Sequence, residues 1–376
     1  MSLRKLIVEV DPSGLNVTEF CAQHEVSTWF FYDLRRRYAR DGEAVLEPRS
    51  RAPKTVANRT AGWIEDEIVR LRKKLADDGW DNGAETIWTR LHDELPSGTH
   101  IPSVSTVYRI LDRRGFITPE PKKAPKHAYR TFTAERANEC WQIDDTEYEL
   151  AGGIEVKIIT MVDDCSRLCP ELKAVETVNG EAVFDAFTTA TERYGWPTRF
   201  LADNAKVYKI SLAEAVAPMG VDHRHGRPYH PQTQGKVERF HLTLHKWLQA
   251  QPKAASLEEL QTQLDRFRYA YNHQRKHRTI GRKTPASVWE QAPKTGPSDR
   301  PLGATTHIHR VTVTNGVCHI NKRYSITVGA AHNHQQATVI ITGLTCHVFI
   351  TGQLTRQLQL DPTRRYQPLY DRPGRP

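Results

Sequence analysis

Three carboxylates stand in contexts that mark them out. Asp144 lies in Trp141-Gln142-Ile143-Asp144-Asp145-Thr146, and Asp203 in Leu201-Ala202-Asp203-Asn204. Glu238 lies in Tyr229-His230-Pro231-Gln232-Thr233-Gln234-Gly235-Lys236-Val237-Glu238-Arg239-Phe240. Each falls at the edge of a recognisable strand or helix pattern. Converging carboxylates hold hard divalent cations through oxygen. Two such cations, about 3.5–4 Å apart, can clamp the attacking and leaving oxygens of an in-line phosphoryl displacement. The expected metal ligands and catalytic groups are therefore Asp144, Asp203 and Glu238.

The neighbouring groups compete less well. Asp145 follows Asp144 directly, and strand alternation sends the two to opposite faces. Asp163 and Asp164 end a strand and read as turn residues. Glu147 and Glu149 share the face of Asp145 and read as solvated. His223, His225 and His230 cluster near the site, but hard magnesium prefers oxygen, so DNA contact or loop structure is expected of them. Cys165 and Cys169 lack the second pair that a zinc site needs, and Cys21 with His24 reads as core. Gln234 and Gly235 suit a loop beside the site.

The elements that must position the triad can be read from periodicity. Strands are expected over Trp141–Leu150, Ile154–Val162 and Leu168–Val175, as an antiparallel meander. A helix over Glu181–Tyr194, a strand over Thr198–Ala202, a short helix over Ser211–Met219 and a short strand over Val221–Arg224 come next. A long helix over Gln234–Ala250 closes the series, with Val237, Phe240, Leu244 and Trp247 inward at spacings of 3, 4 and 3. That order is the order of a ribonuclease H-like α/β fold. It puts Asp144 on the first strand, Asp203 at the C-terminal end of the fourth, and Glu238 in the first turns of the last helix.

With 376 residues the chain is too long for one ordinary domain. The fold class is multidomain: N-terminal all-α helix-turn-helix units, the α/β core, and a small C-terminal all-β barrel. Residues 1–45 form the first helix-turn-helix unit, whose second helix, Thr28–Ala39, offers Thr28, Tyr32, Arg35 and Arg36 to a DNA groove. Residues 46–59 form a basic linker in which Arg49 and Arg51 could track a groove. Residues 60–117 form a second, winged-like helix-turn-helix with Ser105, Thr106, Tyr108, Arg109 and Arg113 outward. Residues 118–135 are a second basic linker, 136–250 the core, 251–300 a helical extension, 301–361 the barrel, and 362–376 a basic tail expected to be disordered. Net charge is +9, with the excess in linkers, helix ends and the tail, which suits phosphate contacts. Hydrophobic content is 38% and no run is long and apolar enough to span a bilayer. No signal peptide is read, and six scattered cysteines suit reduced thiols in a cytoplasm.

Trp-Gln-Ile-Asp-x-Thr, Ala-Asp-Asn and His-Pro-Gln-Thr-Gln-Gly-Lys-Val-Glu-Arg together resemble the catalytic core shared by retroviral integrases and bacterial insertion-sequence transposases. Tyr271-Asn272-x-x-Arg275-x-His277-Arg278-Thr279, followed by Lys283-Thr284-Pro285, resembles the segment after the core in those transposases. The likeness covers about residues 16–290. It implies the Asp144–Asp203–Glu238 triad, two Mg2+ ions (with Mn2+ as a substitute), and action as a DNA-bound multimer. The substrates implied are transposon terminal repeats and target DNA, with the protein associated with a bacterial nucleoid. Arg239 and Lys246 are candidate DNA contacts beside the triad. The departures are 34 residues between Asp203 and Glu238, one fewer than usual, Ala205 in place of Gly, and His245 where relatives often carry Lys or Arg. The retroviral zinc domain is absent, and helix-turn-helix units stand in its place. The alternative function is a catalytically inactive, transposase-derived DNA-binding regulator; a ribonuclease H-type nuclease is a third.

Overall fold

The computed structural model describes residues 2–48, 59–118, 133–203, 205–225, 235–297 and 306–369. Arg49, Arg51, Asn204, His230, Gln234 and most of both linkers lie outside these. The chain divides into two units, Met1–Ala61 and Gly62–Pro376.

In the first unit three helices enclose a small apolar core. They are α1 (Leu3–Glu9), α2 (Val17–Gln23) and α3 (Thr28–Asp41). Ile7, Phe20, Cys21, Phe31, Leu34 and Val45 are buried together. Ser2, Asn16 and Ser27 cap the three helices by accepting from backbone N–H groups of the first turns. Helix α1 adds to the expected pair; at seven residues its pattern is too short to show a period.

The second unit begins with α4 (Gly62–Asp77), α5 (Ala84–Glu94) and α6 (Val104–Arg113). They close on Ile64, Ile68, Leu71, Leu75, Ile87, Leu91, Val107, Ile110 and Leu111. No strand lies among the described residues 59–118, so the expected wing is not seen there. The link after α4 anchors this bundle to the α/β core. Trp80 stacks on Phe267, with ring centroids 5.5 Å apart, and lies 6.4 Å from Trp247. Gly79 has φ +74°, and a Cβ there would meet Trp247 Cα at 2.7 Å. Gly79→Ala is therefore expected to cost about 2–4 kcal/mol, combining left-handed strain with overpacking. Denaturant unfolding of the purified variant measures it; a midpoint equal to wild type would show that the close approach is not made.

The core comprises β1 (Cys140–Glu149), β2 (Glu155–Asp163), β3 (Leu172–Val175), α7 (Gly180–Tyr194), β4 (Arg199–Ala202), α8 (Ala213–Val216), β5 (Asp222–His225) and α9 (Gly235–Gln249). The sheet order is β3-β2-β1-β4-β5. β1, β2 and β3 run antiparallel, and β4 and β5 join parallel to β1. One face packs on α7 through Trp141, Ile143, Ile159, Phe184, Phe187 and Phe200. The other packs on α9 and α10 (Leu257–His273) through Val156, Ile158, Phe240, Leu244, Trp247 and Phe267. Buried Asn272 bridges the backbone of Cys169, accepting from its N–H at 2.8 Å and donating to its carbonyl at 2.9 Å. That gives the Tyr271-Asn272 pair a structural reason. α11 (Pro285–Gln291) comes after α10.

The C-terminal strands are β6 (Thr306–Thr312), β7 (Val317–Ile320), β8 (Tyr324–Thr327), β9 (Gln336–Thr342), β10 (Thr345–Ile350), β11 (Gln353–Gln359) and β12 (Tyr366–Gln367). They form a four-stranded sheet, β11-β10-β9-β6, and a three-stranded one, β12-β8-β7. The expected closed barrel is not what the described residues build; alternation reveals strands but not closure. Ile340 and Phe349 face the main core, Phe349 lying 4.5 Å from Phe184, and Arg310 binds Asp185 and Glu192 on α7. The described part of the tail is held in place rather than disordered: Tyr366–Gln367 pair with β8, and Arg356 holds the carbonyls of Gln367 and Pro368.

Candidate active site

β1 and β4 are parallel neighbours paired at Cys140↔Arg199, Trp141↔Phe200 and Gln142↔Leu201. Two residues past the last pair, each strand presents its aspartate, so Asp144 and Asp203 occupy equivalent positions where the strands part. Alternation separates Asp144 from Asp145. Asp145 turns to the α7 side and accepts a 2.7 Å hydrogen bond from the buried Tyr208 hydroxyl. Tyr208 sits in a π-helical turn, Val207–Leu212, a feature that sequence periodicity does not signal. Burial and the Asp145 charge hold its phenol protonated far above the usual range.

Gln142, Asp144 and Thr146 face α9 instead. Buried Val237, Phe240, Leu244, Trp247 and Leu248 fix that helix on the sheet. Its other residues Glu238, His241 and His245 recur at helical spacing on the side toward β1. His241 Nε2 lies 2.7 Å from Thr160 Oγ1, and that hydroxyl donates to the Asp144 carbonyl at 3.0 Å. His241 Nδ1 is 4.0 Å from Asp144 Oδ2. His245 Nε2 lies 2.7 Å from Thr146 Oγ1. Burial, helped by the neighbouring His245, pushes the His241 imidazole down to about 4, so it is neutral at pH 7.

The start of α9 is bolted to β1 by groups that local sequence patterns do not mark. Asp164, expected as a turn residue, is fully buried. It accepts from Lys236 Nζ at 2.5 Å, Gln142 Nε2 at 2.7 Å and the Ala134 N–H at 2.6 Å. Gln142 Oε1 in turn accepts from the Val237 N–H at 3.3 Å, one of the donors a helix start leaves without an intrahelical partner. Asp163, also buried, holds the Asn138 and Ser166 N–H groups. These aspartates are structural, and their only sequence signal is that a charged pair ends an otherwise apolar strand.

Electrostatics ties the three carboxylates together. Asp144 is raised to about 6, first by burial and then by the charges of Asp145, Asp203 and Glu238, against the opposing Asp145 N–H. Asp203 and Glu238 are exposed, and Asp203 Oδ1 accepts from the Ala205 N–H at 3.0 Å. Among the described residues no three His, Cys, Asp or Glu side chains close on one point as a formed metal site. The donor set nevertheless fits a hard divalent cation: three oxygen-only carboxylates whose repulsion a positive ion would relieve.

The candidate DNA-contact residues separate. Thr28, Tyr32 and Arg36 are exposed on α3. Trp29, absent from the expected contacts, shares that side at 70% exposure. Arg35 is a correction. Its guanidinium donates to the Ile7, Val8 and Val10 carbonyls at 2.9, 3.3 and 2.6 Å, closing the C-terminus of α1 rather than facing outward. On α6, Ser105, Tyr108 and Arg109 are exposed and Thr106 half-buried; Arg109 folds back on the Ser105 carbonyl and Thr106 Oγ1. Arg113 is held by buried Glu65 at 2.6 Å. Arg239 is exposed beside Glu238, whereas Lys246 is partly buried and donates to the Trp80 carbonyl. His223 stacks on Phe200 at 4.4 Å.

Family models match both the core and the N-terminal helices. The integrase core domain matches residues 134–231 and, in a second form, 219–285, while a homeodomain-like domain matches residues 30–111. An insertion element IS476 uncharacterized 39.2 kDa protein of Xanthomonas euvesicatoria is 23% identical over 207 residues, which is 53% of this chain and 59% of that protein's length. Among solved structures, the magnesium complex of the HTLV-2 integrase catalytic core is 19% identical with TM-score 0.34, covering 40% of this chain and 95% of that one. A simian T-cell lymphotropic virus intasome, in complex with PP2A regulatory subunit B56 gamma, is 18% identical with TM-score 0.38, covering 78% and 100%. The chain thus carries an integrase core domain over residues 134–285, preceded by a homeodomain-like segment, and spans 59% of the length of the insertion-element relative that it matches.

Proposed function

We propose that the protein cleaves donor DNA at transposon ends and transfers the resulting 3′-OH into target DNA, with Asp144, Asp203 and Glu238 as its catalytic carboxylates. The observation that carries this reading is the register of β1 and β4, which puts Asp144 and Asp203 at equivalent positions, together with the start of α9 bolted to β1 and the influence of the Asp203 and Glu238 charges on Asp144. Magnesium fits these residues, two ions in this reading, with manganese able to replace it. When bound, such ions stabilise charge on the phosphoryl oxygens and lower the pKa of water. Asp144 is held through its own backbone by Thr160, which His241 orients. The neutral His241 leaves the negative charge of Asp144 for a cation. In the first displacement a water oxygen bonds to phosphorus and the bond to the 3′ oxygen breaks, leaving a 3′-OH. In the second, that 3′ oxygen bonds to a target phosphorus and expels a target 3′ oxygen. No enzyme-bound intermediate is required, so no Ser or Tyr serves as nucleophile. The subunits act as a multimer on the terminal repeats and the target.

The test uses a labelled duplex carrying the DNA that flanks this gene, with magnesium. Wild type is expected to nick it and Glu238→Gln to bind it equally but leave it intact, a loss of at least about 10³-fold. Nicking by Glu238→Gln at the wild-type rate would sink the assignment. Binding without nicks in wild type would favour the inactive regulator.

A further inference from the structure

The linker that follows α4 and the turn that follows α10 enclose a cleft of about 480 Å³, which also reaches α9. Arg239, Lys246, Arg275, Lys276, Arg278 and Arg282 line it, against only Asp81 and Glu85. Six cations facing two carboxylates leave an excess of four. Part of this charge builds the walls. Arg275 pairs with Asp81, Arg282 with Glu85, and Lys276 with Asp93 at the back. Arg282 also lies over the Trp88 ring at 4.7 Å. Among the described residues, Arg239 and Arg278 have no ion-pair partner, and both are exposed. Arg239 directly follows Glu238, so the cleft opens beside the proposed site of chemistry. Four of the six cations are arginines, whose planar forks match phosphate oxygens.

We infer that this cleft is a phosphate track that holds the duplex backbone next to the scissile bond, with Arg239 and Arg278 as its principal contacts. The inference rests on the proposed function for the identity of the polyanion and extends it to a surface formed by the second helical bundle and the turn after the core. Within the track, contact is to phosphates and independent of base sequence.

The test measures binding of a short mixed-sequence DNA duplex by fluorescence anisotropy at several salt concentrations. The full chain is compared with the pair Arg239→Ala and Arg278→Ala, with Lys253→Ala, in the loop between α9 and α10, as a control away from the cleft. Each phosphate contact contributes about 0.9 to the slope of log affinity against log salt, so the double variant should lose about 1.8 from that slope. Arg278→Lys in the single form should keep most of it. Equal melting temperatures check the fold. An unchanged slope in the double variant overturns the track, as does an equal loss in Lys253→Ala, or a slope change seen with RNA duplex but not with DNA. Magnesium-dependent nicking by wild type is followed in parallel. Nicking with an unchanged slope overturns the track alone, whereas a lost slope without nicking keeps the track and overturns the transposase reaction.

Discussion

Asp144→Asn is expected to abolish DNA cleavage and, in the same protein, to stabilise the metal-free fold. The loss should be at least about 10³-fold, because a ligand to ions that stabilise phosphoryl charge supplies several kcal/mol to the transition state. The gain in stability comes from the carboxyl being raised to about 6 by burial and by its acidic neighbours. A raised acid binds its proton more tightly folded than unfolded. Between the ordinary value of 3.8 and about 6 the native state therefore holds more protons, and stability falls as pH rises through that window. The shift corresponds to about 3 kcal/mol at most; the side chain is 25% exposed, and solvent screening reduces this to roughly 1–2 kcal/mol. Thermal melts without metal should show the variant and wild type alike near pH 4, with the variant higher above pH 6. Adding magnesium should raise the melting temperature of wild type but not of the variant. A variant that melts below wild type at pH 8, and still cleaves, would refute both halves.

Lys236→Met is the second change with a large expected effect. Lys236 is 12% exposed and bonds a fully buried Asp164. Removing one partner of a buried pair leaves an uncompensated charge and costs about 3–5 kcal/mol; the partial exposure places this variant near the lower end. Because the same Asp164 holds Gln142, and Gln142 holds the first turn of α9, the loss should also displace Glu238 from Asp144. The half-saturating magnesium concentration for cleavage should rise, and Lys236→Arg should recover part of it. A purely structural ion pair would lower the unfolding midpoint and leave the magnesium dependence of the remaining folded enzyme unchanged. A midpoint within about 0.5 kcal/mol of wild type would mean that the buried pair contributes nothing to the fold.

Much of this site is legible in the sequence because it depends on local periodicity. The meander, the strand β4 and the inward stripe of α9 are each written in spacing, and strand alternation alone separates Asp144 from Asp145. The features that spacing does not reveal depend on contacts distant in the chain. Nothing local tells that Arg35 closes the end of α1 while Arg36, beside it, stays in solvent. An Asp-Asp pair at a strand end resembles a solvated turn, yet Asp164 receives its donors from residues 134, 142 and 236. The Trp80 wedge against Phe267 joins segments far apart in sequence, and whether strands close into a barrel is a matter of shear that alternation does not encode. Motif residues such as Asn204, His230 and Gln234 lie outside the described part.

That this core joins DNA ends is tested most directly with a duplex already ending in a free 3′-OH at the element's terminus, a supercoiled plasmid as target, and magnesium. The wild-type protein is expected to yield plasmid products covalently carrying the labelled strand, and Asp144→Asn to yield none. Plasmid and end both bound by wild type, with no joined product at any magnesium or manganese concentration, would contradict the assignment.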